Sequence, residues 1–177
     1  MPASSAAPVA SSSRPRWVPA CVALGSNLAD PVRQVQRAMA ALAMLPHCQL
    51  VLQSSLYRTR PLGPVEQPDF INAAAALLTQ LDAAALLQAL KSLEQSLGRA
   101  APVVRWGPRL IDLDLLVHGG TRQQDDTLTV PHPGIAERAF VLLPLAEICP
   151  ALVVPGVGRV STLLQRLDTR DCERLPA

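Results

Sequence analysis

The chain has 177 residues, of which 49% are hydrophobic and only 3% aromatic, so it is long enough for one domain with a mainly aliphatic core. Its formal net charge of +2 is too close to neutral to indicate a nucleic-acid-binding protein. The four cysteines show neither a CxxC pair nor zinc-ligand spacing, which predicts free thiols in a reducing compartment.

The first 16 residues are rich in Ala, Ser and Pro and lack the apolar stretch of a secretory signal. This composition is typical of a disordered tail, and a transit peptide is the alternative. The chain contains no uncharged apolar run of about 18 residues, so no membrane span is expected. We therefore expect a cytoplasmic protein with a disordered tail at 1–16 and a single domain at 17–177.

The first half of that domain predicts the order strand, helix, strand, strand. Val18–Leu24 is a short apolar run that ends at a Gly-Ser-Asn turn, which is typical of a buried strand. Asp30 followed by Pro31 indicates a helix start, and apolar residues then recur at helical spacing until Pro46. Two further strands are predicted at 49–57 and 70–78, with a proline-rich loop between them at 60–69.

The second half predicts a helix, a strand and a mostly helical remainder. Asp82 is the predicted cap of a helix that carries leucines on one face and ends at Gly98. Residues 99–109 are predicted to form a loop, 110–117 a strand, 134–148 a helix broken around Pro144, and 161–168 a short helix. The resulting order β-α-β-β-α-β predicts an α+β fold, a ferredoxin-like sandwich with a mainly antiparallel sheet and helices packed on it.

The most distinctive segment is Asp112-Leu113-Asp114 in the last predicted strand. Side chains alternate between the two faces of a strand, so the aspartates share one face, with Cα atoms roughly 6.5 Å apart at a rise of about 3.3 Å per residue. Two neighbouring carboxylates repel each other, and a divalent cation is their natural partner. The alternative is a half-buried strand whose outer face is simply solvated.

Arginines upstream of these carboxylates favour a phosphate ligand. Arg99, Arg105 and Arg109 lie in the preceding loop, and their planar donor forks suit a polyphosphate with its metal ions. Fifteen of the sixteen basic residues in the chain are arginine, although a biased genome composition explains this preference more simply.

Two other segments carry open alternatives. Gly25-Ser26-Asn27-Leu28 connects a strand to a helix and either cradles an anion or forms a plain turn. It matches neither the P-loop nor the dinucleotide-binding fingerprint. His132 is a lone histidine after a proline, and such residues are more often structural than catalytic.

Six ordered blocks of the chain are similar to one enzyme family. They are Ala23–Leu28, Tyr57–Thr59, Pro61–Pro64, Gln67–Asn72, Arg105–Asp114 and Leu128–His132. Through these blocks the chain resembles the 6-hydroxymethyl-7,8-dihydropterin pyrophosphokinases of folate biosynthesis over about residues 18–155. The resemblance implies a ferredoxin-like core and attack of the pterin hydroxymethyl oxygen on the β-phosphorus of ATP, with release of AMP.

The resemblance also implies a role for each candidate residue. The catalytic set would be Arg99, Arg109, Asp112 and Asp114, in which the two aspartates bind two Mg²⁺ ions. The ATP site would be lined by Glu94, Trp106, Leu115, Thr129, His132 and Arg138. The pterin would be sandwiched by aromatic rings and read along its edge by groups at or near the set Phe70, Phe140, Asn72, Thr59 and Leu62.

ATP is therefore the expected co-substrate and Mg²⁺ the expected cofactor, and the loop that carries Trp106 is expected to close over the site. We expect a monomer that acts on these small molecules and binds neither nucleic acid nor a membrane. One rival is a metal-dependent phosphohydrolase or nuclease that uses the same two aspartates. The other is a non-enzymatic ligand-binding domain of the same fold.

Overall fold

An antiparallel sheet is the centre of the computed structural model, which describes residues 16–61, 66–99 and 107–176. Strands and helices follow one another along the chain as β1 Val18–Ser26, α1 Pro31–Ala43, β2 Cys48–Gln53, β3 Tyr57–Thr59, β4 Phe70–Thr79, α2 Ala83–Ser96, β5 Asp112–His118, β6 Gln123–Gln124, β7 Thr129–Val130, α3 Ala139–Ile148, β8 Val153–Val154, β9 Gly158–Arg159, α4 Val160–Leu164 and β10 Cys172–Arg174. The predicted α+β order is confirmed.

The main sheet has the strand order β10-β3-β4-β1-β5, and β2 also pairs with β4. Each of these pairings is antiparallel, as the ferredoxin-like prediction requires. The register places Gly25 opposite Asn72 on one side and opposite Asp112 on the other. Residues directly opposite on paired strands point to the same face, so these three form one row across the sheet.

One face of the sheet is covered by α1 and α2. Both helices begin as predicted, because the side chains of Asp30 and Asp82 accept hydrogen bonds from backbone N–H groups in the first turn. Their apolar stripes pack on alternate residues of the strands, including Val22, Leu24 and Leu113. This cluster is the larger of the two hydrophobic cores, and it fixes which strand residues point the other way.

The opposite face is covered only in part. Helices α3 and α4 pack over Cys21, Ala74 and Leu116 and form a second hydrophobic cluster there. The next residues on the same face, towards the end of β1, are Ala23 and Gly25, and both line an open cleft. The incomplete helical layer therefore leaves part of a sheet face as the floor of a cavity.

Three local predictions need correction. Residues 49–57 form two strands rather than one, because the Ser54 Oγ accepts a hydrogen bond from the N–H of Ala74 at 2.9 Å in place of a backbone carbonyl and interrupts the ladder. Helix α3 runs through Pro144 without a break. The C-terminal remainder is less helical than predicted, since α4 has 5 residues and β10 pairs with β3.

The predicted tail at 1–16 and most of the predicted loop at 99–109 lie outside the described residues. The cysteines all carry free thiols, as predicted. Across the parts of the chain that the structure describes, no helix combines the length and the apolar character needed to cross a bilayer.

Candidate active site

The cleft on the open sheet face has a volume of about 300 Å³ and collects most of the predicted site residues. The predicted residues that line it are Thr59, Phe70, Asn72, Arg109, Asp112, Asp114, His132, Arg138 and Phe140. They come from strands β3, β4 and β5, from the segment before β5 and from the start of α3 with the residues before it. Residues distant in sequence thus meet at one end of the sheet.

Asp112 and Asp114 share one face of β5, as the alternation predicts. Both are partly exposed, whereas Leu113 and Leu115 between and beside them are buried in the core. The carboxylate of Asp112 contacts two guanidinium groups, since Arg99 Nη1 lies 2.7 Å from its Oδ1 and Arg109 Nη1 contacts its Oδ2. The solvated-face alternative does not describe Asp112, whose oxygens are held by two cations.

Glu94 extends this network to the edge of the sheet. Its Oε1 accepts a hydrogen bond of 2.6 Å from the backbone N–H of Leu113 and also contacts the guanidinium of Arg99. Burial raises the pKa of Glu94 to about 7, although the Leu113 N–H and the charge of Arg99 oppose this shift. Arg99 therefore bridges two carboxylates that lie on different elements, α2 and β5.

Asp114 has a different environment from Asp112. Burial raises its pKa to about 6, the charge of Asp112 adds to this shift, and the positive charges of Arg138, Arg109 and Arg99 oppose it. A desolvated carboxylate next to a second carboxylate gains most from an added cation, because the cation stabilises the charged form.

His132 points its Nε2 at Asp114, with 4.0 Å between Nε2 and Oδ2. The backbone N–H of Gly134 donates to the other ring nitrogen, Nδ1, at 3.1 Å. A neutral imidazole that accepts at Nδ1 carries its proton on Nε2. Burial and the charge of Arg138 lower the pKa of His132, which favours this neutral form. The ring therefore presents an N–H donor to the cleft.

Aromatic and amide groups form another part of the cleft. Phe70 and Phe140 both line it, and the guanidinium carbon of Arg138 lies 5.9 Å from the centroid of the Phe140 ring. Asn72 is buried on the floor, and its Nδ2 donates to Thr59 Oγ1 at 2.7 Å. A Cβ atom at Gly25 would lie 3.0 Å from Asn72 Oδ1, so a larger residue at this close approach would require the Asn72 side chain to shift.

Leu115 and Thr129 are predicted site residues that do not line the cleft. Leu115 is 3% exposed and packs in the core under α1 and α2, so its side chain does not reach the cleft. Thr129 lines an adjoining groove of about 530 Å³, which shares His132 with the cleft. Leu62 and Trp106 lie outside the described residues.

Asn27 is a residue that the sequence did not single out by function. It is 2% exposed, and its Oδ1 accepts from the backbone N–H of Arg109 at 2.7 Å. Its Nδ2 donates to Gln67 Oε1 at 3.0 Å and to the carbonyl of Pro68 at 3.1 Å. Asn27 thus connects the two segments that border the cleft, and the Gly-Ser-Asn turn was the signal that marked it.

The carboxylates suit Mg²⁺ by their chemistry. Among the described residues, no group of three or more His, Cys, Asp or Glu side chains is arranged to hold a metal ion. Mg²⁺ is ordinarily held by one or two carboxylates together with water and substrate phosphates, rather than by a complete protein cage. Asp112 and Asp114 supply that number of carboxylates on one strand face.

Fold and cleft together are those of an α+β enzyme that handles a polyphosphate, because carboxylates and arginines surround one cavity. Comparison with known proteins identifies the family. Residues 21–150 match the 7,8-dihydro-6-hydroxymethylpterin-pyrophosphokinase (HPPK) family. The chain belongs to this family, and it is a diphosphokinase.

Individual relatives agree with this assignment. A 2-amino-4-hydroxy-6-hydroxymethyldihydropteridine pyrophosphokinase of Pseudomonas aeruginosa is 46% identical over 155 residues, which are 88% of this chain and 95% of that protein. The protein of the same name from Haemophilus influenzae is 41% identical and covers 84% of this chain and 92% of its own length. Both relatives match over almost their whole length.

The fold also matches a solved structure. A crystal structure of a Plasmodium falciparum HPPK-DHPS variant with SDX-DHP superposes with a TM-score of 0.74 at 13% identity. The match covers 94% of this chain and 50% of the solved chain, so this protein spans half of that longer protein.

Proposed function

We propose that the cleft binds ATP and 6-hydroxymethyl-7,8-dihydropterin side by side and transfers a pyrophosphoryl group between them. The products are AMP and the pterin diphosphate, and the step belongs to folate biosynthesis. The observation that carries this proposal is the composition of the cleft. One cavity contains a pair of phenylalanines with a buried amide, and also two aspartates with cationic arginines.

The pterin end is proposed to use stacking and hydrogen bonding. Phe70 and Phe140 offer flat apolar faces to a planar ring, which suits offset stacking. Asn72 and Thr59 are already hydrogen-bonded to each other, which fixes the amide orientation on the cleft floor. A fixed amide and the backbone groups near Leu62 would then read the pterin edge without further ordering of Asn72.

The phosphate end is proposed to use charge. Arg99 and Arg109 contact Asp112, and phosphate oxygens would compete for the same guanidinium donors. Asp112 and Asp114 would hold two Mg²⁺ ions, which when bound neutralise phosphate charge and lower the pKa of the substrate hydroxyl. Arg138 and the Nε2–H of His132 would orient the nucleotide phosphates, and Thr129 the adenosine half.

Residues of the chain would contribute mainly by positioning. Transfer to the β-phosphorus requires the hydroxymethyl oxygen in line with the leaving AMP, and this geometry is costly for free reactants. Stacking of the pterin and binding of the phosphates, at different parts of the cleft, would together hold the reactants in this in-line geometry. We also propose that Glu94 sets the position of Arg99 and that Trp106 borders the ATP. Leu115 would border it through its backbone, since its side chain packs in the core.

Domain organisation, oligomeric state and cellular location are further parts of the proposed function. We propose a monomeric domain at 17–177 with a disordered tail at 1–16, located in the cytoplasm and without nucleic acid as a partner. Free thiols at all four cysteines support a reducing compartment. Size-exclusion chromatography with light scattering tests the monomer.

The test is an assay for AMP with Mg-ATP, in the presence and absence of 6-hydroxymethyl-7,8-dihydropterin. A transferase releases AMP only when the pterin is present and forms the pterin diphosphate in equal amount. Asp114→Asn should lower the rate by about 10²–10³, as expected for loss of one electrostatic stabiliser. Asp126→Asn is the matched control, because Asp126 is an exposed aspartate outside the cleft. AMP release without pterin would favour a hydrolase instead.

A further inference from the structure

Gly134 lies directly under the end of the Arg138 side chain. A Cβ atom built at position 134 would be 2.6 Å from Arg138 Nε and 2.8 Å from its Cζ. Both separations are shorter than any ordinary contact between non-bonded atoms. The guanidinium therefore occupies space that exists only because residue 134 has no side chain.

This location decides what the guanidinium can reach. From above Gly134, the Arg138 Cζ lies 5.9 Å from the centroid of the Phe140 ring. Arg138 also lines the cleft, and its positive charge opposes the rise in the pKa of Asp114 and lowers the pKa of His132. Its guanidinium is therefore placed where an aromatic wall, an acidic group and an imidazole meet.

We infer that Gly134 is a positioning residue that acts through Arg138 on nucleotide binding. The inference rests on the proposed function, since it assigns Arg138 to the phosphates of ATP. The absence of a side chain at 134 lets the guanidinium lie close over the turn between His132 and α3, where Arg138 lines the cleft. A side chain at 134 would displace the guanidinium, and with it the donors proposed to bind the phosphates.

An alanine at this position tests the inference without breaking the turn. The atoms that the new methyl group meets belong to the far end of a flexible side chain, so Arg138 moves and the backbone stays. The hydrogen bonds of residue 134 come from its backbone, with N–H donating to His132 Nδ1 and the carbonyl accepting from Glu137 N at 3.3 Å. The φ angle of Gly134 is not positive, so alanine adopts it without strain.

The experiment compares Gly134→Ala with Gly120→Ala. Gly120 has no atom within 4 Å of a built Cβ and does not have a positive φ angle, so it controls for the substitution itself. We expect Gly134→Ala to raise the KM for ATP about ten- to hundredfold, the range for losing a hydrogen bond to a charged group. The KM for the pterin and the melting temperature should stay at wild-type values, as should all parameters of Gly120→Ala.

A double-mutant cycle gives the decisive readout. In an Arg138→Ala background, Gly134→Ala should have no further effect on the KM for ATP, because its only route of action has been removed. Equal losses in both backgrounds, or a wild-type KM for Gly134→Ala, would overturn the inference while the proposed function stands. A wild-type enzyme that forms no pterin diphosphate would overturn the proposed function and this inference with it.

Discussion

Replacement of Asn27 by alanine should weaken both the fold and the reaction. The side chain is buried and makes three hydrogen bonds, to Arg109 N, Gln67 Oε1 and Pro68 O. At about 1 kcal/mol net for each, with two backbone groups left unsatisfied, the loss is about 2–4 kcal/mol. For a domain of this size, that corresponds to a fall in melting temperature on the order of 5–15 °C.

Activity should fall as well, because Asn27 holds the backbone N–H of Arg109 at 2.7 Å and also the segment at Gln67 and Pro68, and both Arg109 and Gln67 line the cleft. A displacement of about 1 Å at a reacting group can cost roughly 10²-fold in rate. The assay is kcat for AMP formation at saturating Mg-ATP and pterin, measured well below the melting temperature of the variant.

Two variants make the interpretation specific. Asn27→Asp keeps the acceptor for Arg109 N but places a carboxylate oxygen against Gln67 Oε1 and Pro68 O, which are themselves acceptors. This variant therefore loses only the hydrogen bonds to Gln67 and Pro68. Gln34→Ala, on helix α1, removes two hydrogen bonds outside the cleft, the one to Ala29 O at 2.9 Å and the one from Arg37 Nη1 at 3.3 Å. If Asn27→Ala loses no more stability than Gln34→Ala and retains wild-type kcat, the connection through Asn27 has no role in catalysis.

Further expectations concern the metal site, the tail and the sole tyrosine. Asp112→Asn should reduce turnover by about 10²–10³ while the circular dichroism spectrum stays native, and a wild-type rate at saturating Mg²⁺ would contradict the metal assignment. Deletion of residues 1–16 should leave both the melting temperature and the KM for the pterin unchanged, since that segment has little apolar surface to bury. The chain has one Tyr, so phenolate absorbance reports Tyr57 alone. Burial, together with the hydrogen bond to the Glu147 carboxylate, raises its pKa to about 12. Because the pKa of Tyr57 is raised in the folded state, its contribution to the free energy of unfolding is fully present below pH ~10, the usual tyrosine value, and is lost as the pH rises from there to about 12. Glu147→Gln should lower the titration midpoint, and an unchanged midpoint would contradict the role of that bond.

The features that could be predicted from the sequence are those that depend on local periodicity. Asp112 and Asp114 are two residues apart in a strand, so they share a face whatever the strand pairs with. The caps at Asp30 and Asp82 are likewise formed with N–H groups three residues away. The fold class follows from the order of such elements, because few topologies connect them without crossing.

Other features depended on contacts between distant parts of the chain. The bond from Asn27 to Arg109 spans 82 residues, and the pairing of β10 with β3 brings the C-terminal residues to the sheet. The break between β2 and β3 depends on Ser54 meeting Ala74, which no pattern in residues 49–57 indicates. Strand register and side-chain contacts of this kind are set by the packing of the whole domain.

The residues of the site show the same distinction between local features and long-range contacts. The sequence by itself determined that two carboxylates and several arginines would lie near one strand, and its similarity to a family indicated their roles. Only the tertiary structure decided that Arg99 bridges Glu94 and Asp112, and that Leu115 faces the core. The physical reason is that alternation along a strand is a local property, whereas the partner of a charged side chain depends on which elements fold against it.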